Sequence, residues 1–279
     1  MHHTKRNIIT VQSQVASGYL GNNIASLAIQ LHGFDPIQIP TVLLSNNVEY
    51  PVCYGKPIDT GLMADLLKGI EANHFIEESN FLISGFCYNT GAISTLADFI
   101  GETKSNRGYQ YIYDPAFGDF RSGGLYVDQT VADHSVASLL PLCDLITPNH
   151  FELEYILGRK ITTAAAFADS LSSHKILRSK TVVATSIHFA HTPTDIITVA
   201  VYRQGEVTLF TAPLAPIDMA GSGDLFTAIL AAQLNLSNSI AVAVNKAMDY
   251  IYQVLNMAHR QGEQQFNATL LMQYARLLA

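Results

Sequence analysis

The segment Met219-Ala-Gly-Ser-Gly-Asp-Leu-Phe-Thr227 combines the parts of an anion site with a base placed inside it. Glycines on either side of Ser222 let a ligand approach the backbone closely. The segment opens an apolar helical stretch, Leu225–Leu234. N–H groups in the first turn of a helix lack intrahelical acceptors and lie at the positive end of its dipole, which suits a phosphate. A carboxylate there repels phosphate unless its work is to take a proton from an attacking hydroxyl, so Asp224 is a candidate general base. The same residues also suit a plain helix cap, and spacing does not separate the two readings. No Lys or Arg occurs between Arg203 and Lys246. Charge on a phosphoryl group transferred here is therefore expected to be met by amides, the dipole and metal ions.

A second group of oxygens lies in Thr147-Pro-Asn-His-Phe-Glu152 and Asp114-Pro-Ala-Phe-Gly-Asp119. Asn149 and Glu152 have the spacing of a capping box, in which Glu152 only closes its own helix start. Alternatively, Glu152 binds Mg²⁺ through water, with Asp114 and Asp119 across the cleft. Magnesium needs only one or two carboxylates when phosphates supply the other oxygens. Gly18 and Gly21 lack GxGxxG spacing, and no GxxxxGK[ST] is present, which excludes those two nucleotide motifs. His188 and His191 stand at a metal-like i, i+3 spacing, but without a nearby Cys or carboxylate they read as a surface loop. Cys53, Cys87 and Cys143 are too scattered for a disulfide framework or a zinc knuckle and read as buried, inert thiols.

The elements that must position these residues alternate between strand and helix. Strands are expected at Asn7–Gln12, Pro36–Leu43, Phe81–Ser84, Tyr109–Asp114, Asp144–Thr147 and Thr181–Ser186. Helices are expected at Asn22–His32, Gly61–Phe75, Ile93–Thr103, Asp128–Leu140 and Asn149–Leu157, and over most of the chain from Leu225. This alternation implies a parallel sheet covered on both faces. A late hairpin, Ile196–Tyr202 and Val207–Thr211 turned at Gln204-Gly205, adds antiparallel strands at one edge. Strands buried on both faces also explain a chain that is 48% hydrophobic and only 14% charged. No apolar run is long enough to span a membrane, and the N-terminal residues Met1–Arg6 with the stretch after them do not suggest a secretory leader. A net charge of −7 argues against a nucleic-acid surface. With no linker or repeat, the 279 residues are expected to form one domain. In open α/β sheets ligands bind beyond the carboxyl ends of the strands, where all the polar segments named above would gather.

Five of these segments, in order, resemble the motifs of the pyridoxal kinase branch of the ribokinase superfamily. They are Gln12-Ser-Gln-Val15, Pro40-Thr-Val-Leu-Leu-Ser-Asn46, Asp114-Pro-Ala-Phe-Gly-Asp119, Thr147-Pro-Asn-His-Phe-Glu-Leu-Glu154 and Gly221-Ser-Gly-Asp224. The resemblance runs from about Asn7 to Leu234. It implies a three-layer α/β/α, ribokinase-like fold and ATP-dependent phosphorylation of the 5′-hydroxymethyl group of pyridoxal, pyridoxine or pyridoxamine. It further implies that Ser13 and Thr41 bind the pyridine ring, that Phe86 packs on it, and that Asp224 deprotonates the hydroxymethyl. Gly221, Ser222 and Gly223 would cradle the γ-phosphate. Asp114, Asn149 and Glu152 would lie near the phosphates and Mg²⁺ with Asp119 beside them, and Thr185 and Ser186 would touch the nucleotide. A monovalent cation, commonly K⁺, a cytoplasmic location and a homodimer are implied as well. The departures, Ser17, Asn47 and a Val52–Lys56 stretch without Trp, fall on the substrate side. A hydroxymethylpyrimidine kinase of thiamine synthesis is the nearest alternative. A non-catalytic vitamin B6-binding protein is a second one, which Asp224, Asp114 and Glu152 argue against. A missing N-terminal Gly-Gly motif makes sugar kinases a poorer match.

Overall fold

A computed structural model describes residues 6–279; Met1–Lys5, part of the N-terminal stretch weighed above as a leader, lie outside the described residues. The apolar runs form β1 (Asn7–Val15), β2 (Asp35–Leu44), β4 (Ser79–Ser84), β5 (Gln110–Tyr113), β8 (Leu145–Ile146) and β9 (Thr181–Ala184), with β3 (Gly55–Pro57) and the hairpin β10 (Ile196–Arg203) and β11 (Glu206–Pro213) completing one sheet. Its order is β11-β10-β9-β8-β5-β4-β1-β2-β3. The run from β9 to β2 is parallel. The hairpin is antiparallel at one edge, as expected, and turns through Gln204 and Gly205, both with positive φ. That is the two-residue turn whose twist matches the strands it joins.

Because successive strand residues face opposite ways, each apolar run feeds two cores. Ile8, Phe81, Ile83, Ile112, Val183 and Val201 lie in one, while their neighbours Ile9, Leu82, Tyr111, Tyr113, Val182 and Tyr202 lie in the other. The first core is closed by α1 (Asn22–Leu31), α7 (Ser222–Asn235), α8 (Ile240–Gln261) and α9 (Ala268–Gln273). The second is closed by α2 (Thr60–Ala72), α3 (Thr90–Arg107), α4 (Gln129–Leu139), α5 (His150–Leu157) and α6 (Ala164–Ser173). The result is the expected three-layer α/β/α arrangement. Helix α7 is apolar on nearly all sides because α1, α8 and β4 all pack on it. No helix among the described residues is long and apolar enough to cross a membrane.

Three elements were not legible in the pattern. Helix α6 turns only Phe167, Ser170 and Leu171 inward, so its apolar signal is two large residues. Strand β3 has three residues and adds an antiparallel strand at the edge opposite the late hairpin, where none was expected. A small ribbon, β6 (Gly118–Asp119) and β7 (Gly124–Leu125), holds the residues after Asp114. Two-residue strands containing glycine carry no alternation to read.

The crossover from β1 to β2 runs through α1 on one face, and that from β4 to β5 runs through α3 on the other. The chain thus changes direction between neighbouring strands β1 and β4, which opens a crevice at their carboxyl ends. Asn22 fixes one wall of it. Its fully buried amide donates to the carbonyls of Gln12 (3.2 Å) and Ile39 (3.1 Å) and accepts from the Thr10 hydroxyl (3.0 Å), tying the start of α1 to β1 and β2. Replacing Asn22 by Ala strands these three buried partners and is expected to cost about 3 kcal/mol. A lower urea midpoint at unchanged denaturant slope checks this.

Candidate active site at the carboxyl ends of the strands

The plain-cap reading of Asp224 fails in the structure. Helix α7 is capped by Gly221, in the left-handed region at φ 93°, with no side-chain cap bond. A Cβ on Gly221 would stand 2.7 Å from the Tyr19 carbonyl oxygen, so a side chain is barred by space as well as by conformation. Ser222 turns both its hydroxyl (2.6 Å) and its N–H (3.2 Å) back to the Met219 carbonyl. Among the three residues expected to cradle a phosphate, the Ser222 amide is therefore already engaged. The amides of Gly223 and Asp224 remain as the first-turn donors without an intrahelical acceptor. Nothing crowds Gly223, and it is exposed.

The Asp224 carboxylate faces away from its own helix and accepts from the Gly21 amide at 2.8 Å. Gly21 is itself at φ 51°, and a Cβ there would collide with the Ser13 carbonyl oxygen at 2.1 Å and the Ser13 hydroxyl at 2.3 Å. The β1–β2 ladder breaks at Ser13, because β2 carries one extra residue there: Gln12 pairs with Pro40 and Gln14 with Leu43, so Ser13 faces Thr41 and Val42 together. Ser13, Gly21 and Asp224 thus form one contact set. Burial pushes the Asp224 carboxyl up to about 6, opposed by the Gly21 hydrogen bond.

One turn along α7, the Thr227 hydroxyl donates to Asp114 at 2.8 Å and lies 3.0 Å from the Thr147 hydroxyl. Asp114 is buried, and desolvation followed by the nearby Asp224 charge raises its carboxyl to about 7. Glu152 is also buried and raised well above the ordinary carboxylate range, by desolvation and then by Asp114. No lysine or arginine is among the groups that shift Asp114 or Asp224. The capping box is real: Glu152 accepts from the Asn149 amide (2.9 Å), while Asn149 accepts from the Glu152 amide (3.0 Å). The second Glu152 oxygen accepts from the Phe117 amide (3.0 Å), and the Asn149 side chain donates to the Gly118 carbonyl (2.8 Å). Glu152 therefore closes α5, as the capping-box reading has it, and also holds the Asp114–Asp119 segment beside it, which neither sequence reading included.

Asp119 ends the first strand of the β6–β7 ribbon. Its oxygens accept from the Ser122 amide and the Tyr126 hydroxyl, both at 2.5 Å, and Arg121 stands 3.5 Å away. Although burial acts to raise it, these partners hold its carboxyl below the ordinary value. As placed, both of its oxygens are committed to the β6–β7 turn, as both Glu152 oxygens are committed to backbone amides. Among the described residues no group of three or more His, Cys, Asp and Glu is arranged to hold a metal. Each oxygen of Asp119 and Glu152 thus already accepts one hydrogen bond within the protein.

Of the remaining expected site residues, Thr41 is fully buried beside Ser13 across the β1–β2 pair, and its hydroxyl donates to the Phe86 carbonyl (2.6 Å). That bond ties β2 to the segment after β4. Phe86 is half-buried, with Tyr88 tilted against it at 6.4 Å between ring centroids. Thr185 pairs with Asn149 in an isolated bridge, and Ser186 follows at φ 51°, in the left-handed region where a residue with a side chain is strained. The structure thus gathers Ser13, Thr41 and Phe86 at one end of the crevice, Asn149, Thr185 and Ser186 at the other, and Asp114 and Asp224 between them. His188 and His191 are exposed loop residues, as expected, although the His188 amide donates to the buried His150 ring at 3.1 Å. Cys87 and Cys143 are buried with thiols pushed up to about 12, whereas Cys53 is only half-buried.

Gly21 and Thr227 were missed by sequence reasoning. The signal for Thr227 was its i+3 spacing from Asp224, which puts both on one face of the helix. Gly21 carried no signal beyond being a glycine after a strand.

The chain matches a sequence model of the family described as phosphomethylpyrimidine kinase over residues 80–269. It is 31% identical over 268 residues to a pyridoxal kinase, PdxY, of Deinococcus radiodurans, covering 92% of this chain and 88% of that one. It is 27% identical over 264 residues to a pyridoxal kinase of Dictyostelium discoideum, covering 90% and 86%. The pyridoxal kinase of Leishmania donovani, solved in complex with ADP and pyridoxamine, superposes with a TM-score of 0.83 at 27% identity, covering 98% of this chain and 95% of that one. The pyridoxal kinase of Entamoeba histolytica superposes at 0.87 and 21% identity, covering 99% and 97%, a likeness of fold.

The raised carboxyls have a consequence for stability. Between about pH 4 and 7 the folded chain retains a proton on Asp114 that the unfolded chain has released, so stability falls as pH rises through that window. The ligand-free protein is expected to gain from Asp114→Asn on the order of 2 kcal/mol at pH 8 and little at pH 4. Thermal midpoints of the two proteins across pH 4–8 check it.

Proposed function

The chain belongs to the phosphomethylpyrimidine kinase family, with pyridoxal kinases among its relatives, and from that premise we propose that it is a vitamin B6 kinase, transferring the γ-phosphoryl group of ATP to the 5′-hydroxymethyl group of pyridoxal, pyridoxine or pyridoxamine. One observation carries the reading. Asp224 sits in the mouth of a helix N-terminus without capping it, held by the amide of Gly21 against Ser13. A carboxylate so placed meets a substrate hydroxyl on one side and a phosphate bound by the Gly223 and Asp224 amides on the other. It takes the hydroxyl proton as the oxygen attacks in line, and positioning with fixed dipoles supplies the rest.

The ring of the vitamer is assigned to the Ser13, Thr41 and Phe86 end. Ser13 offers a hydroxyl and Phe86 an apolar face, and Thr41 fixes Phe86 through its carbonyl. The nucleotide is assigned to the Asn149, Thr185 and Ser186 end, with Gly221, Ser222 and Gly223 shaping the loop around its γ-phosphate. The residues fit a divalent cation. Asp114, Glu152 and Asp224 are desolvated carboxyls without a basic partner, Asp224 raising Asp114 and Asp114 raising Glu152, a charge excess that Mg²⁺ relieves. Held through water by Asp114 and Glu152, with Asp119 behind, Mg²⁺ would supply neutralisation of the phosphate oxygens. K⁺ as an activator, a cytoplasmic location and the whole chain acting as one domain are parts of the same proposal. So is a homodimer. The loop between β2 and β3 exposes Val48, Tyr50, Val52 and Tyr54, the last 76% exposed, a patch suited to burial against a second copy. Sedimentation is expected to give a dimer that Tyr54→Asp weakens at least tenfold.

ADP release with Mg²⁺, K⁺ and ATP, measured in parallel on the three vitamers and on hydroxymethylpyrimidine, tests the function. Turnover of a vitamer is expected, with kcat/KM falling below about pH 6 as Asp224 takes up a proton. Asp224→Asn is expected to lower kcat by about 10³-fold or more while the vitamer still binds. Turnover of the pyrimidine alone would make it a hydroxymethylpyrimidine kinase of thiamine synthesis. Binding of a vitamer with no turnover of any substrate would make it a vitamin B6-binding protein.

A further inference from the structure

The absence of Lys and Arg from 204 to 245 left the anion site without a basic residue of its own. Tertiary structure brings one from elsewhere. Arg121, at the turn of the β6–β7 ribbon, pairs with Asp218 at 2.8 Å, three residues before Gly221. Even a fully extended backbone would keep Asp218 within about 11 Å of Gly221, and the bond from the Ser222 amide to Met219 tightens that turn further. The base of the ribbon is held firmly. Asp119 accepts from Ser122 and Tyr126, the Tyr126 amide donates to the Phe117 carbonyl, and Phe120 packs edge-on against His150 and Phe151. Phe120 thus faces α5, and the next residue, Arg121, reaches the other way to the loop that leads into α7.

The guanidinium is surrounded by carboxylates from three segments: Asp218, Asp119 at 3.5 Å, and Glu49 of the loop after β2. Its pair with Asp218 is loosely held, since the two side chains are 46% and 62% exposed. Exposed pairs of this kind contribute little. A phosphate chain carries more charge than one carboxylate and accepts the planar guanidinium in two parallel bonds.

We propose that Arg121 is a phosphate-binding residue of this site, whose guanidinium leaves Asp218 for the terminal phosphate oxygens of bound ATP. The inference rests on the kinase reading for the identity of its ligand. The exchange brings a cation to the open end of the anion site from the side opposite Asp224. Asp218 acts as the parking place of the arginine in the empty protein.

Calorimetric titration of ATP, ADP and AMP in Mg²⁺, without any vitamer, tests this on the wild type and on Arg121→Ala, Arg121→Lys and Asp218→Asn. Arg121→Ala is expected to weaken ATP by about 10- to 100-fold, as loss of a charged hydrogen bond does, ADP by less and AMP not at all. Arg121→Lys should recover part of the loss, and Asp218→Asn should bind ATP at least as tightly as the wild type, because it releases the arginine. Unchanged ATP affinity in Arg121→Ala overturns the proposal. So does an equal loss in Arg121→Ala and Asp218→Asn, which would make the pair a structural latch, and so does a wild type that binds no ATP. Because no vitamer is present, failure of the substrate assignment shows only in the turnover assay and leaves this result readable.

Discussion

The hydrogen bond from the Gly21 amide to the Asp224 carboxylate joins residues 203 positions apart, and the crevice is organised around it. It turns Asp224 out of its own helix, where the residue would be an ordinary cap, and into the gap between β1 and α7. The bond requires Gly21 to have no side chain, because Ser13 occupies the space where a Cβ would stand. It requires Gly221 to have none either, because the loop carrying Tyr19 approaches α7 there. Two left-handed glycines from opposite ends of the chain thus let two loops touch, and the candidate base and the candidate ring-binding serine become neighbours as a consequence.

The second organising feature is an excess of negative charge. Desolvation makes Asp114, Glu152 and Asp224 each harder to ionise than a free carboxyl, and Asp224 adds to the shift of Asp114 as Asp114 does to that of Glu152. The hydroxyls of Thr227 and Thr147 and the amides of Phe117 and Asn149 soften the cost without removing it. A fold seeking only stability would not group acids in this way. The arrangement makes sense when cationic and phosphate ligands complete it, and the strained backbone at Ala116 and Ser186, both beside the same crevice, belongs to the same picture.

The fold makes the site possible through one topological choice. Crossovers leave β1 and β4 toward opposite faces, so the carboxyl ends of these neighbours open onto a crevice that no helix fills. Asn22 holds the β1–β2 wall, and Glu152 holds the Asp114–Asp119 segment. Each of these ties is a polar side chain satisfying backbone groups that the sheet leaves unpaired at its carboxyl edge.

By itself the sequence determined the layers and the inventory of reactive groups. Period-two alternation sorts Ile8 from Ile9 and Leu82 from Ile83, and short-range sterics and burial decide that within a few residues. It also placed Ser13, Thr41, Asp114, Asn149 and Thr185 toward the carboxyl ends of strands, where a parallel sheet collects its ligand groups, and Asp224 in the first turn of a helix. Only the tertiary structure decided what each oxygen does. From spacing, Asp224 and Glu152 were equally good caps; in the fold Glu152 caps and Asp224 does not. Asp119 looked like an open carboxylate and is committed to Ser122 and Tyr126. Gly21, Thr227 and Arg121 gained their importance from partners far away in the chain. A hydrogen bond is won or lost over a few tenths of an ångström. Which loops approach that closely depends on how the crossovers stack, and no local pattern in the sequence records it.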